Sequence, residues 1–289
     1  MIIAKLYGGM GNQMFQYALG RHLAIKNKTE LKLDISFFEN YDWHDYSLAP
    51  FNIIEKFASK KEVRKYTIKN KLQKLSYYIR KIIFDSKKLT EPHFNYFSQA
   101  LNYQGNIYTD GYWQSYLYFK DIAEIIKKDF TIKIQPSIEN KLILTNIVFS
   151  EAVSIHIRRG NYVTVKEVND VLRPSSLDYY NNAISFIKSK VTSPVFYIFS
   201  DDIDWAKQNI MLKDPHYFVD NNNSKTDYED IRMMSSCKHN IIANSTFSWW
   251  GSWLNQNPHK KIIAPKTWFG SALQHLKTDD IYTESMLKI

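Results

Sequence analysis

Residues 2–19 read Ile2-Ile3-Ala4-Lys5-Leu6-Tyr7-Gly8-Gly9-Met10-Gly11-Asn12-Gln13-Met14-Phe15-Gln16-Tyr17-Ala18-Leu19. The apolar run from Ile2 to Tyr7 predicts a short strand, and the glycines at 8, 9 and 11 break it. From Asn12 onward, Met14, Phe15, Ala18, Leu19, Leu23 and Ile25 recur at helical spacing. Leu31 to Ile35 predicts a second strand ending near Asp34. Strand, glycine loop, helix, strand is the opening of a Rossmann-like α/β domain. Glycine lets backbone N–H groups approach an anion, and the helix N-terminus adds positive potential. Gly9, Gly11, Asn12 and Gln13 are therefore candidate ligand contacts. A tight strand-to-helix turn explains the glycines equally well. A dinucleotide fingerprint would use Asp34 for the ribose, but Met14 stands where its third glycine belongs, which argues against NAD.

Outward from this stretch the alternation continues. Residues 55–90 predict a helical segment with Leu72, Leu75, Ile79, Ile82 and Ile83 on one face. Ile107 to Thr109 predicts a strand, followed by the loop Asp110 to Ser115. Beyond residue 150 the pattern is plainer. Strands are expected at Ala152–Ile157, Val195–Phe199, Tyr217–Val219 and Asn240–Ala243, with the last at Lys261–Ala264. The expected architecture is two Rossmann-like halves, 1–150 and 151–289, facing across a cleft. Ligands of parallel sheets sit at the carboxyl ends of strands, and three further motifs fall there.

The first is His156-Ile157-Arg158-Arg159-Gly160-Asn161-Tyr162. Two guanidinium forks leaving one strand end suit bidentate contact with phosphate oxygens, and Gly160 permits a sharp turn against a ligand. An ordinary surface arginine pair is the plainer alternative, and His156 alone suits a satisfied core position. The second is Asn244-Ser245-Thr246-Phe247-Ser248-Trp249-Trp250-Gly251-Ser252-Trp253. Its amide and hydroxyls, just before a helix, offer a second anion cradle, whereas its tryptophans read as core. The third is Ser200-Asp201-Asp202. Two adjacent carboxylates without a third ligand make a weak metal site. A helix cap is the stronger reading, with contact to a ribose or base edge as the other use for Asp202.

The chain has 289 residues, 44% apolar, and one cysteine, Cys237. That suffices for one large or two ordinary domains. A lone thiol gives no internal disulfide, and no signal-like or membrane-spanning run is present, so a cytoplasmic protein is expected. The net charge of +9 is uneven: residues 56–88 hold twelve Lys/Arg and two Asp/Glu. One basic segment on an otherwise near-neutral chain argues against nucleic acid. It suggests a local contact, with an anionic membrane surface as the candidate partner.

Taken jointly, these motifs resemble the α-1,2-fucosyltransferases of glycosyltransferase family 11. The resemblance runs over Gly8–Ala18, Asp110–Ser115, His156–Tyr162, Phe199–Asp202 and Met233–Asn255. It implies a GT-B fold, GDP-β-L-fucose as donor, inverting transfer to the 2-hydroxyl of a terminal galactose on an oligosaccharide or lipid-linked glycan, and no required metal. It also implies that Arg158 and Arg159 bind the GDP diphosphate, that the Asn244 to Phe247 segment lies on the donor side, and, more loosely, that Asn12 lies near the phosphate. The alternative from another class is a Rossmann-type nucleotide-binding oxidoreductase. Asp34 and His156 are the candidate general bases. Two departures from the family pattern stand out: Asn161 where an aspartate is usual, and Asp45 where an arginine often precedes Tyr46. Asn161 is expected to hold the arginine turn through its acceptor oxygen.

Overall fold

The computed structural model describes residues 1–41, 43–66 and 86–289. The chain divides into two compact units, Met1–Lys133 with Thr278–Ile281, and Ile134–Lys277 with Tyr282–Ile289. The sequence places the boundary near residue 150. In the structure the helix Ile138–Val148 packs on the strand and helix of the second unit, so the division falls ahead of it.

The first unit is built on strands β1 (Ile2–Lys5), β2 (Leu31–Asp34), β3 (Ser86–Thr90) and β4 (Asn106–Asp110), in the spatial order β2-β1-β4-β3. Every pairing is parallel. Of the helical segment expected over 55–90, the described residues show a single short helix at Lys60–Val63 and strand β3 at its end. β3 carries Lys87 and Lys88 beside the buried Leu89, and lysines suit an edge strand that must not pair further. The apolar face read at Leu72, Leu75, Ile79, Ile82 and Ile83 lies outside the described residues, as does most of the basic segment. The helix Met10–Lys26 is buried nearly all round, with Met14, Phe15, Tyr17, Ala18 and Leu19 fully enclosed. Its polar side chains are tied down in turn. The Tyr17 hydroxyl (2.7 Å) and Arg21 Nε (2.9 Å) both donate to the Asp129 carboxylate.

The second unit holds β5 (Glu151–Ile157), β6 (Pro194–Ser200), β7 (His216–Val219), β8 (His239–Ile241), β9 (Ile262–Ala264) and β10 (Met286–Lys288). Their order is β10-β9-β8-β5-β6-β7, again all parallel. β10 was not expected from the sequence, which ends its strands at Ala264. It has three residues of which only Met286 is buried, too short a pattern to read. The core joins Val153, Ile155, Phe196 and Ile198 to the helix Leu177–Lys190 through Tyr180, Ala183 and Ile187. Trp249 and Trp250 are wholly buried, as their reading as core required.

Both units are thus the Rossmann-like α/β halves expected. Each has one place where strand order reverses. From β1 the chain moves outward to β2, crosses to β3 at the opposite edge, and comes back inward to β4 on the other side of β1. From β5 it moves to β6 and β7 and returns through β8. Loops leaving the two strands on either side of a reversal diverge and leave a crevice at the carboxyl ends. The glycine loop follows β1 and the arginine motif follows β5.

No helix among the described residues is long and apolar enough to cross a membrane.

A close approach of helix and sheet in the first unit sets a testable limit. A Cβ on Gly20 would stand 2.8 Å from Ala4 Cβ and 3.0 Å from Leu31 Cδ1. Helix propensity favours alanine over glycine by about 1 kcal/mol, but overpacking costs about 1–3 kcal/mol. Gly20→Ala is expected to lower stability by up to about 2 kcal/mol, read as a lower midpoint in urea. A raised midpoint would show that the helix moves away without loss.

Candidate active site

The candidate residues fall into two groups, one at the reversal point of each unit. In the second unit, Arg158 and Arg159 leave β5 side by side. Arg158 Nη1 lies 2.9 Å from Asp201 Oδ2, and the Arg159 backbone N–H donates to Asp201 Oδ1 at 2.8 Å. Arg159 Nε reaches Asp202 Oδ2 at 3.2 Å, and its guanidinium carbon sits 3.8 Å from the Trp205 ring centroid. Asp202 Oδ1 accepts the Trp205 N–H at 3.2 Å, capping the helix Ile203–Asn209. The aspartate pair is therefore both the cap expected and a clamp on the arginines. Asp201 approaches so closely because residue 160 is glycine: a Cβ there would overlap its carboxylate. The sequence expectation gave the arginine turn to Asn161. The structure gives it to Asp201, from a strand that sequence spacing does not bring near.

The Asn244 segment behaves differently from an open anion cradle. Asn244 is 2% exposed. Its Nδ2 donates to the carbonyls of Arg173 and Trp268, both at 2.9 Å, and its Oδ1 accepts the Ser175 hydroxyl at 3.3 Å. This carboxamide is a brace that fixes the Arg173–Ser175 turn. Ser245 Oγ accepts the Phe247 N–H at 3.3 Å and caps the helix Thr246–Leu254. Thr246 and Phe247 are half-buried on its first turn, and the Phe247 ring lies 5.5 Å from His156. His156 is 5% exposed, and its Nδ1 has no hydrogen-bond partner among the described residues. Burial, then the charge of Arg158, pushes it down to about 3. It is a neutral imidazole at any physiological pH and a weak base.

A cavity of about 400 Å³ opens beside these groups, lined by Arg159, Arg173, Ser175, Ser176, Trp205 and Ser271. The Arg173 and Trp205 walls were not picked out from sequence. Arg173 precedes Pro174 in a loop with no motif of its own. The cavity is polar and bounded by two guanidinium groups and the N-cap Ser176 of the helix Leu177–Lys190, which suits an anionic group.

In the first unit, Gly8 adopts φ +74° and Gly9 caps the helix Met10–Lys26 with no side-chain bond of its own; Gly11 lies buried in its first turn. Asn12 Oδ1 accepts Gln114 Nε2 at 2.9 Å. Gln13 is fully buried and stands behind the loop. It donates to the carbonyls of Gly8 (2.8 Å) and Asp45 (2.9 Å), and accepts the Ser47 N–H at 2.8 Å. Gln13 therefore shapes the glycine loop from within. Asp34 is 2% exposed and both its oxygens are taken, by the Ser36 N–H at 3.0 Å and the Tyr108 hydroxyl at 2.7 Å. The structure thus shows Asp34 holding the turn after β2 and the Tyr108 hydroxyl.

Glu91, which no sequence signal marks, organises the loop after β4. Its two oxygens accept the N–H groups of Tyr112 (2.7 Å) and Trp113 (2.9 Å). Burial lifts this carboxyl to about 7 even though those two bonds work to lower it. Trp113 is held at φ +58°, an unfavourable conformation for a bulky residue.

The profile of glycosyl transferase family 11 matches residues 2–287. An α-1,2-colitosyltransferase from Escherichia coli is 34% identical over 282 residues, spanning 93% of this chain and 92% of the relative. The Escherichia coli O-antigen biosynthesis glycosyltransferase WbnK is 34% identical over 286 residues, spanning 91% and 93%. A structure of an Arabidopsis thaliana FUT1 variant in complex with GDP aligns with a TM-score of 0.50 at 10% identity, over 91% of this chain and 70% of that one. That likeness is one of fold, and the fold class is GT-B. The oxidoreductase alternative is not supported.

Gly160→Ala is expected to push Asp201 off the arginine turn. Affinity for GDP, measured by titration calorimetry, should fall about tenfold or more, equivalent to ~1.4 kcal/mol, with the far-ultraviolet spectrum unchanged. Unaltered affinity would show that Asp201 is not what aligns the arginines.

Proposed function

The chain belongs to glycosyl transferase family 11, and on that premise we propose that it transfers fucose from GDP-β-L-fucose to the 2-hydroxyl of a terminal galactose, with inversion to an α-1,2 linkage and without a metal ion. The observation that carries this reading is the clamped Arg159. Its Nε is held by Asp202 and its face by Trp205, while the same residue lines the polar cavity. A guanidinium fixed on one edge and one face has its Nη groups left for a diphosphate, already oriented. Arg158, fixed by Asp201, adds a second charge beside it.

In this reading the acceptor oxygen attacks the anomeric carbon from the face opposite the departing GDP. The bond to the β-phosphate oxygen breaks, and the guanidinium pair takes up the charge that grows there. Both neighbouring aspartates are engaged with the arginines, which supports two guanidiniums in place of a cation. With Asp34 and His156 occupied or weakly basic, leaving-group departure leads and the hydroxyl proton passes late, to solvent water or to the departing GDP phosphate. The WbnK relative supports a lipid-linked or O-antigen-type glycan as the acceptor. The colitosyltransferase relative supports a second reading of the donor, in which colitose replaces fucose. Parallel assays with GDP-fucose and GDP-colitose on methyl β-D-galactopyranoside decide between them, with the product linkage read by NMR. Transfer from neither donor to any galactoside would overturn the proposal.

Arg159→Ala should lower kcat by roughly 10²–10³, the usual effect of removing one preorganised donor to developing charge. Arg159→Lys should stay badly impaired because an ammonium cannot supply the fork. Wild-type turnover in the alanine variant would remove Arg159 from the site. Excess EDTA should leave the initial rate unchanged; a collapse reversed by Mg²⁺ or Mn²⁺ would show that the Asp201–Asp202 pair binds metal.

A further inference from the structure

At the reversal point of the first unit a line of aromatic rings crosses the strand ends. Tyr7, just after β1, meets Tyr112, just after β4, edge to face at 4.9 Å. Tyr7 continues to Phe37 at 5.7 Å, and Phe37 to Tyr41 at 4.5 Å. Tyr7, Phe37 and Tyr41 are half-buried, and Tyr112 is 42% exposed. Aromatic side chains of this size normally close into a core. Here they stay partly open where a parallel sheet leaves its ligand crevice.

The exposed ring sits on a stiff mount. Glu91 accepts the N–H groups of both Tyr112 and Trp113. Asp110, at the root of the loop, is paired with Lys5 at 2.9 Å and Lys88 at 2.8 Å. Gln114, at its far end, is bonded to Asn12. A Cβ on Gly111 would overlap Glu91, and Trp113 is kept at positive φ with its indole fully buried. Strain of this kind persists only where surroundings over-determine it, and it gathers at functional positions. A loop that needed only to close the unit would bury Tyr112 as it buries Trp113.

We propose that Tyr112, Tyr7, Phe37 and Tyr41 form a stacking platform for the terminal galactose of the acceptor and determine its choice. This rests on the transferase reading above. Galactose suits the surface chemically. Its axial 4-hydroxyl leaves the C–H groups at carbons 3, 4 and 5 together on one face, an apolar patch that packs on aromatic rings while the hydroxyls around it stay hydrated. Tyr7, Tyr41 and Tyr112 each add a phenolic hydroxyl able to hydrogen-bond a sugar hydroxyl. Burial lifts the pKa of Tyr7 and Tyr112, which keeps them protonated. A flat ring with a polar tip discriminates by shape and orientation, so a glucoside with an equatorial 4-hydroxyl should stack less well.

The test combines direct binding with kinetics on the full chain. Saturation-transfer difference NMR with methyl β-D-galactopyranoside should concentrate signal on H3, H4 and H5 in the wild type, exceed that of methyl β-D-glucopyranoside, and vanish in Tyr112→Ala. Tyr112→Phe should retain it. In transfer assays Tyr112→Ala should raise the acceptor KM about tenfold or more, with GDP affinity by calorimetry unchanged. Tyr112→Phe should change the KM less than about threefold. The platform is overturned if the wild type gives no galactoside signal, or if Tyr112→Ala keeps both signal and KM. Binding that behaves as expected without transfer from GDP-fucose or GDP-colitose would leave the platform standing and sink the reaction assigned to it.

Discussion

Two guanidinium groups leaving one strand end repel each other. Like charges close together need a counter-charge to stay in place. The Asp201 carboxylate resolves this for the arginine pair, with one oxygen on the Arg158 guanidinium and the other on the Arg159 backbone N–H. It also fixes where the arginines leave the sheet. The absence of a side chain at Gly160 lets it come close, and Asp202 next to it fixes the second guanidinium. Charge, backbone turn and cavity wall are therefore set by two adjacent residues at the end of β6.

The same economy recurs in the first unit with the sign reversed. Asp110 is held between two lysines, and Glu91 is held by two backbone N–H groups without a cation. The first carboxylate sits at the end of its strand in a balanced pair. The second carries a burial cost that its bonds only partly offset, which lifts it to about 7. As pH rises from ordinary carboxyl values through that point, the folded state gives up a proton that the unfolded chain has already lost. The stabilising contribution of this loop therefore declines across that window.

Much of this architecture is legible locally. Glycines at 8, 9 and 11 ahead of a helical period, and paired arginines behind an apolar run, place both loops at strand ends without any long-range information. Residue types also marked the tryptophans of the Asn244 segment as core. What escaped is non-local. Gln114 meets Asn12 across 102 positions, and Asn244 grips the carbonyl of Arg173 across 71. No short-range pattern distinguishes an asparagine that braces a turn from one that contacts a ligand. Glu91 and Arg173 lie in segments with neither periodicity nor motif, so only the sheet's crossing order reveals that they matter. Asn161 was assigned a task that its neighbour in space performs. The strands β3 and β10 are short edge strands with one buried side chain each among the described residues, below what alternation can detect.

The first unit is not contiguous in the chain. Its last piece, Thr278–Ile281, follows the rest only after about 145 intervening residues. The Asp280 carboxylate then accepts the Tyr96 N–H at 2.8 Å. During synthesis at ~5–20 residues per second, the amide of Tyr96 waits roughly 9–37 s for that partner, 184 positions on. The second unit waits longer still, since Tyr282–Ile289 closes it with β10. A fragment cut before Thr278 therefore lacks a piece of each unit and is a provisional fold rather than a pair of domains.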